Sequence, residues 1–205
     1  MKLLSDTAFA AGSGYGNQID SDVVLDTFGL PVIPARRVKG LLLDAGSQLT
    51  TALGDLYQQK LAATFGVGGQ AISDSASFDN GKLQQHEELR QWLEYLKQKK
   101  SEWFTQDSVA SEFTVIRRST ALDDEGTAKK NSLRTIRMLR KGQIFNFSVF
   151  CTVEQAEIVS LAALALRQGG SSRNRGSGQI TCKLLDSTGK DIADEAIQHW
   201  FKESK

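Results

Sequence analysis

Both prolines of the chain, Pro31 and Pro34, lie in the run GLPVIPARRVKGLLLDA at residues 29–45. Proline fixes φ and lacks an N–H group, so it favours extended segments and the first turn of a helix. The residues after the second proline are apolar at helical spacing: Val38, Leu41, Leu42, Ala45, Leu49, Ala52 and Leu53. These features predict an extended segment followed by a helix that starts near residue 35.

The predicted start of this helix carries three basic residues, Arg36, Arg37 and Lys39. The first N–H groups of a helix have no partner within the helix, and the helix dipole is positive at that end. Basic side chains beside such groups make a favourable place for a phosphate.

In the rest of the chain, segments whose apolar residues have the spacing of a strand alternate with segments whose apolar residues have the spacing of a helix. They predict a strand at 2–10, a helix at 83–103, a hairpin or long loop of 113–120 with 132–139, a strand at 143–151, a helix at 156–166, a strand at 179–185 and a helix at 193–201. Thr152 and Gln155 are spaced as a capping box before the 156–166 helix, and Gly169 is expected to end it. The order predicts an α+β, modified ferredoxin-like fold similar to the RNA-recognition motif. The helix within residues 82–112 and the hairpin are its two insertions.

Length and composition limit the class of protein. A chain of 205 residues with 40% hydrophobic and 24% charged residues predicts one globular domain over 1–205. Two cysteines and two histidines exclude four-cysteine zinc, CxxC and HExxH sites. No apolar run reaches the roughly 18 residues of a membrane span, so we expect no membrane partner and a cytoplasmic location.

Positive charge is concentrated in two stretches. Residues 117–141 contain eight basic and three acidic residues, and the run GGSSRNRGSG at 169–178 has four glycines, three serines and two arginines. Glycine lets a backbone approach a ligand closely, and arginine matches phosphate oxygens. Both stretches therefore suit nucleic-acid phosphates. A solvated face for the first and a flexible connector for the second are the alternatives.

Four segments resemble motifs of one known family in order and spacing. IDSDVVLDTFGLPVIPARRVKGLL at 19–42 is similar to the N-terminal motif of the RAMP superfamily of CRISPR-associated proteins, with I-D, G-x-P-x-I-P and K-G elements. TFGVGGQAISDSA, the run RRST to FSV at 117–149, and GGSSRNRGSGQI resemble the family's F-G segment, thumb and glycine-rich loop. The resemblance is to backbone subunits of type III effectors, with motifs similar to those of type III-D or Csm-like members. Residues 82–112 carry no motif of the family.

The resemblance implies a subunit that polymerises along guide RNA, contacts target RNA and assembles with other CRISPR effector subunits. Its thumb, at about 117–137, would kink the guide–target duplex. The RNA-binding residues implied at the matching positions are Arg36, Arg37, Lys39, Arg118, Lys129, Lys130, Arg134, Ser171, Ser172, Arg173 and Arg175. Recognition of RNA backbone and shape would tolerate any guide sequence.

Asp20 occupies the I-D position that the resemblance identifies as catalytic in subunits that cut target RNA. The implied activity is a metal-dependent endoribonuclease, with a divalent ion such as magnesium and none tightly bound. A ribose 2′-hydroxyl would attack the neighbouring phosphate, with Asp20 as base, orienting group or metal-linked carboxylate. Two alternatives remain: a non-catalytic structural RAMP subunit of the same complex, and a standalone guide-processing nuclease.

Overall fold

The computed structural model describes residues 1–9, 19–66, 74–99, 101–120, 124–127, 132–171 and 176–203. Within them the strands are β1 (Lys2–Leu3), β2 (Val32–Ile33), β3 (Ser77–Phe78), β4 (Gly81–Leu83), β5 (Thr114–Ser119), β6 (Arg134–Leu139), β7 (Phe145–Asn146), β8 (Val149–Phe150) and β9 (Ile180–Thr181). The helices are α1 (Ala35–Ser47), α2 (Thr50–Phe65), α3 (His86–Lys99), α4 (Gln106–Phe113), α5 (Val153–Ala165) and α6 (Ala193–Glu203). A 3₁₀ turn lies at Ser101–Trp103.

Helix α1 begins at Ala35, directly after Pro34, as the sequence predicts. The apolar series that follows Pro34 is divided between two helices, because α1 ends at Ser47 and α2 begins at Thr50. Helix α1 buries its apolar stripe against α5, and α2 and α6 also pack on α5. Together α1, α2, α5 and α6 form the helical layer of the molecule.

Helix α5 is fixed at its start by the predicted capping box. The Gln155 N–H donates to Thr152 Oγ1 at 3.3 Å, and the Thr152 N–H donates to Gln155 Oε1 at 3.0 Å. The helix ends at Ala165, so the prediction that Gly169 terminates it is wrong. Gly169 lies instead in the core, where a Cβ would come within 3.0 Å of the Phe9 and Ile180 side chains.

Isolated bridges place two antiparallel strand pairs, β1–β9 and β5–β6, side by side. Strand β9 pairs with β1, and β6 pairs with β5 in register from Thr114–Leu139 to Ser119–Arg134. Antiparallel bridges from Lys2 to Ile144 and from Thr7 to Leu139 join the first strand to the β6–β7 segment. The neighbours therefore run in the order β9, β1, β6, β5. The predicted hairpin is confirmed.

The predicted continuous strand at 143–151 is wrong. Strand β7 pairs with β4 in a sheet ordered β2-β4-β7, whereas β8 pairs with β3. The chain changes partner between Asn146 and Val149, so the alternation of apolar residues does not place them all on one buried face. Phe145 is fully buried, but Cys151 is exposed. The predicted 179–185 strand is likewise reduced to Ile180–Thr181.

The insertion contains two helices instead of the single predicted helix. Leu83 belongs to strand β4, and helix α3 begins three residues later. Buried His86 fixes the start of α3, with its Nε2 atom 2.9 Å from Asp26 Oδ2. Helix α4 follows and packs beside β5. Among the described residues, no helix has both the length and the apolar character needed to cross a bilayer.

Candidate nucleic-acid interface

The β5–β6 hairpin presents two of the predicted RNA-binding residues on its exposed surface. Arg118 is paired in register with Thr135, and Arg134 with Ser119, and both arginines are exposed. The pairing keeps these two side chains near the open end of the hairpin. Lys129 and Lys130, and much of the tip of the predicted thumb, lie outside the described residues.

Asp20 lies against β6, on the edge opposite β5. The Thr135 N–H donates to Asp20 Oδ2 at 2.7 Å, and the Asp20 N–H donates to the Thr135 carbonyl at 2.9 Å. Ser21 continues the contact as a parallel bridge to Ile136. Since Thr135 is also the register partner of Arg118, the structure brings an exposed carboxylate and two exposed guanidinium groups to one part of the hairpin.

A buried ion pair holds the Asp20 segment in place. The Arg137 guanidinium lies 3.5 Å from Asp22 Oδ2, and both side chains are at least 90% buried. A second nitrogen of Arg137 lies 3.1 Å from Asp107 Oδ1 on helix α4. No sequence motif marks Arg137, Asp22 and Asp107 as partners. The signal available was the position of Asp22 two residues after Asp20, which puts both on one side of an extended segment.

Arg117 connects the hairpin to the glycine-rich loop. Its Nη1 atom donates to Ser177 Oγ at 3.1 Å, and its Nη2 atom lies 3.9 Å from Asp6 Oδ2. Ser177 is buried, and Asp6 also accepts the Lys141 N–H at 3.0 Å. The two basic stretches are therefore structural neighbours.

The glycines of the loop serve mainly to pack the chain against itself. A Cβ on Gly170 would collide with the Ala8 carbonyl, and one on Gly178 would collide with the Gly169 carbonyl. Both residues also have positive φ, which favours glycine. Close approach of a ligand is therefore not needed to explain them. Ser171 is exposed and bridges to Ala8, whereas Ser172, Arg173 and Arg175 lie outside the described residues.

The start of α1 is connected to a different part of the molecule. The Ala35 N–H donates to Asn80 Oδ1 at 2.8 Å, and the Arg37 N–H donates to the Pro34 carbonyl at 2.8 Å. These two donors are therefore not free for a phosphate, contrary to the simple picture of an open helix start. Arg36 and Arg37 are exposed and Lys39 is half-buried, so their side chains remain on or near the surface.

Among the described residues, the carboxylates near the hairpin are each engaged in other contacts. Within the described ranges, no group of three His, Cys, Asp or Glu side chains is arranged to hold an ion. Asp20 accepts the Thr135 N–H, and Asp22 is paired with Arg137. Magnesium in proteins is usually held by one or two carboxylates together with water and phosphate oxygens.

No protein-family model and no curated protein matches the sequence. Solved structures do match the fold. A chain of the type III-B Cmr-beta bound to cognate target RNA superposes with a TM-score of 0.62 at 13% identity, over 86% of this chain and 92% of that chain. A chain of type III-B Cmr-beta in the apo state gives 0.61 at 12% identity, over 91% and 95%. The protein therefore has the fold of a chain found in type III-B Cmr-beta.

Proposed function

We propose that the protein is a guide-RNA-binding backbone subunit of a type III CRISPR effector complex in the cytoplasm, and that it cleaves complementary target RNA. Two independent lines support this function. The RAMP-like motifs occur in order along the sequence, and the fold likeness covers most of both chains. The subtype, type III-D or Csm-like, stays a prediction, since both structures compared above are type III-B.

A modified ferredoxin-like fold is part of the proposal. The antiparallel neighbour order β9, β1, β6, β5 supports it, because a ferredoxin-like sheet places its last strand beside its first and its hairpin on the other side. In such a fold the helical layer would cover one face of the sheet, and the β5–β6 hairpin would be part of the thumb.

The contact between Asp20 and Thr135 carries the catalytic part of the proposal. It holds a carboxylate at the hairpin that also exposes Arg118 and Arg134, so an RNA strand bent around this hairpin would meet both negative and positive groups. Guide RNA would be held by the predicted residues of α1 and the glycine-rich loop: Arg36, Arg37, Lys39, Ser171, Ser172, Arg173 and Arg175. The basic side chains would neutralise phosphates without reading bases.

Cleavage would be an in-line transfer within the RNA. The 2′-oxygen forms a bond to the adjacent phosphorus, the bond to the 5′-oxygen breaks, and the products are a cyclic phosphate and a 5′-hydroxyl. Asp20 would accept the proton of the 2′-hydroxyl or orient that group, and the leaving oxygen takes a proton from water. Positioning of the nucleotide by the hairpin would supply much of the acceleration.

The test uses the protein assembled with its neighbouring subunits and a guide. We expect Asp20→Ala to lower the rate of target cleavage at least about 100-fold, as for loss of a general base, with guide loading unchanged. Asp20→Asn keeps an acceptor for the Thr135 N–H but loses the charge, so it separates chemistry from hairpin geometry. Asp55→Ala, on an exposed part of α2, is the matched control. Cleavage that persists in Asp20→Ala would overturn the catalytic assignment.

Magnesium dependence is a separate part of the proposal. We expect cleavage to stop when EDTA is added and to return with Mg²⁺, while guide binding is retained. Cleavage that continues in EDTA would remove the metal from the proposal and leave Asp20 unaffected.

One observation favours the alternative of a non-catalytic structural subunit. Both the N–H and the carboxylate of Asp20 already bond to Thr135, so this residue has a structural role that needs no chemistry. In that case Asp20→Ala would loosen the hairpin and lower guide or target affinity, while the product ladder made by another subunit would be unchanged.

A further inference from the structure

The insertion exposes three large aromatic side chains. Trp92 and Tyr95 on α3 are 65% and 52% exposed, and Trp103 in the 3₁₀ turn is 72% exposed. The other side of α3 packs on the core through Leu89 and Leu93. Attachment of α3 to the core therefore does not depend on Trp92 and Tyr95, which together with Trp103 are called the aromatic patch below.

Two of the rings are held in a defined arrangement. Trp92 and Tyr95 make an edge-to-face contact with ring centroids 6.4 Å apart. The Lys99 ammonium lies 5.8 Å from the centroid of the Tyr95 ring. These contacts orient the side chains and leave most of their ring surface open to a ligand.

Charge on α3 is separated along its length. Arg90 lies 2.6 Å from a carboxylate oxygen of Glu87 and 3.5 Å from one of Glu94, so it pairs with two of the three acids of α3. The last turn carries exposed Lys97 and Lys99. Lysines therefore lie beside the patch at the end of the helix, while Glu94, which Arg90 pairs with, and Glu102 are its acidic neighbours.

Helix α4 connects this patch to the hairpin. The Ser108 hydroxyl lies 3.2 Å from the Trp103 carbonyl oxygen, and the adjacent Asp107 binds Arg137 at 3.1 Å. Arg137 is two residues from Thr135, which binds Asp20. One continuous set of contacts therefore links the aromatic patch to the candidate interface.

We propose that the aromatic patch binds single-stranded RNA by stacking unpaired bases on Trp92, Tyr95 and Trp103, with Lys97 and Lys99 near the phosphates. The inference rests on the proposed function for its ligand class. Aromatic rings combined with positive charge are typical of sequence-tolerant single-strand sites. Tryptophan and tyrosine are also common at protein–protein interfaces, but the lysines beside these rings are depleted in the cores of such interfaces.

Tryptophan fluorescence of the full-length protein tests the proposal. Of the three tryptophans, Trp92 and Trp103 are exposed, whereas Trp200 is 4% exposed and packs on Tyr57. In the Trp200→Phe background, all the tryptophan signal comes from the patch. We expect an unstructured oligouridine to quench it saturably, with affinity that falls as salt is raised.

The decisive variant carries both Trp92→Ala and Tyr95→Ala. Its RNA binding is measured by quenching of the remaining Trp103 fluorescence and by filter binding. We expect the affinity for oligouridine to fall about tenfold or more, as for loss of base stacking. Phe201→Ala, another exposed aromatic on α6, should leave the affinity unchanged. Equal affinity of the double variant and the parent would overturn the proposal.

Two further results separate this inference from the proposed function. Arg118→Ala with Arg134→Ala should weaken binding but preserve the quenching at saturation, because the rings are intact. If oligouridine quenches the patch but the assembled complex contains no guide, the proposed function fails and the patch survives. A different result would be a blue shift of the tryptophan emission that grows with protein concentration, together with no quenching by RNA. That result would assign the patch to contact with a second copy of this chain and overturn the proposal.

Discussion

The helical layer and the base of the hairpin are held together by opposite kinds of interaction. In the layer, α1, α2 and α5 bury side chains such as Leu42, Ile158 and Tyr57 almost completely. At the base of the hairpin, Arg137 binds Asp22 and Asp107, and Asp20 binds the Thr135 backbone. Apolar burial has no preferred direction, whereas these polar contacts fix both distance and angle.

The two regions therefore have different roles. The layer provides most of the stability through burial of apolar area, and small rearrangements of its side chains cost little. The hairpin base fixes the positions of charged groups, and loss of one partner leaves the other unsatisfied. We therefore expect substitutions in the two regions to differ in whether a second substitution can rescue them.

The largest expected effect is that of Arg137→Met. It leaves the buried Asp22 carboxylate without its ion-pair partner, which costs about 3–5 kcal/mol of the free energy of unfolding. Urea unfolding measures the loss. Adding Asp22→Asn should recover most of it, because the unpaired charge is removed. Absence of recovery would show that Arg137 acts by packing, as residues of the layer do.

Leu42→Ala tests the layer in the same assay. The side chain is fully buried in α1, so its truncation should cost about 2–5 kcal/mol through lost burial and the remaining cavity. We expect the affinity for RNA to be unchanged under conditions where the variant is folded. A loss of RNA affinity in the folded variant would contradict the division between the two regions.

Tyr57→Phe should stabilise the layer slightly. The Tyr57 hydroxyl is buried and has no hydrogen-bond partner within the described part of the chain. Its removal should raise the free energy of unfolding, measured in urea at neutral pH, by about 1 kcal/mol. Tyr95→Phe, at an exposed tyrosine of α3, is the matched control and should leave that free energy unchanged. A lower stability of Tyr57→Phe would show that the hydroxyl contributes to packing.

The pH dependence gives an independent check on Tyr57. Burial raises the pKa of Tyr57 from 10.0 to about 12. Between these values the unfolded chain loses the phenol proton while the folded chain keeps it, so stability falls as pH rises. The Tyr57→Phe variant should lack this part of the loss of stability at alkaline pH. Unfolding midpoints measured across the interval between the two pKa values test this. Parallel profiles for the two proteins would contradict the assignment.

Arg118→Ala should have the smallest effect on stability. Its side chain is exposed on the hairpin, so the free energy of unfolding should change by no more than about 0.5 kcal/mol. The salt dependence of RNA binding should instead become shallower by about one phosphate contact. An unchanged salt slope would remove Arg118 from the interface.

Local patterns in the sequence predicted the elements whose signals are short-range. The start of α1 after Pro34, the capping box of α5 and the β5–β6 hairpin all follow from neighbouring residues. The prediction of a continuous strand at 143–151 was wrong because the two halves of this segment pair with different strands. A change of pairing partner does not alter the alternation of apolar and polar residues, so the sequence does not show it. The prediction of a single helix in the insertion was wrong at its start because Leu83 fits the apolar spacing of a strand and of a helix equally well.

The sequence by itself determined where the two positively charged stretches lie and that Asp20 stands in a motif that resembles one known family. Both are properties of neighbouring residues and can be read without the fold. Only the tertiary structure decided that Asp20 bonds to Thr135, that Arg137 joins Asp22 to α4, and that Gly170 is required by the Ala8 carbonyl. These contacts join residues far apart in the chain. Their partners are chosen by how the layers pack, because a buried polar group takes whichever complementary group the fold brings within reach.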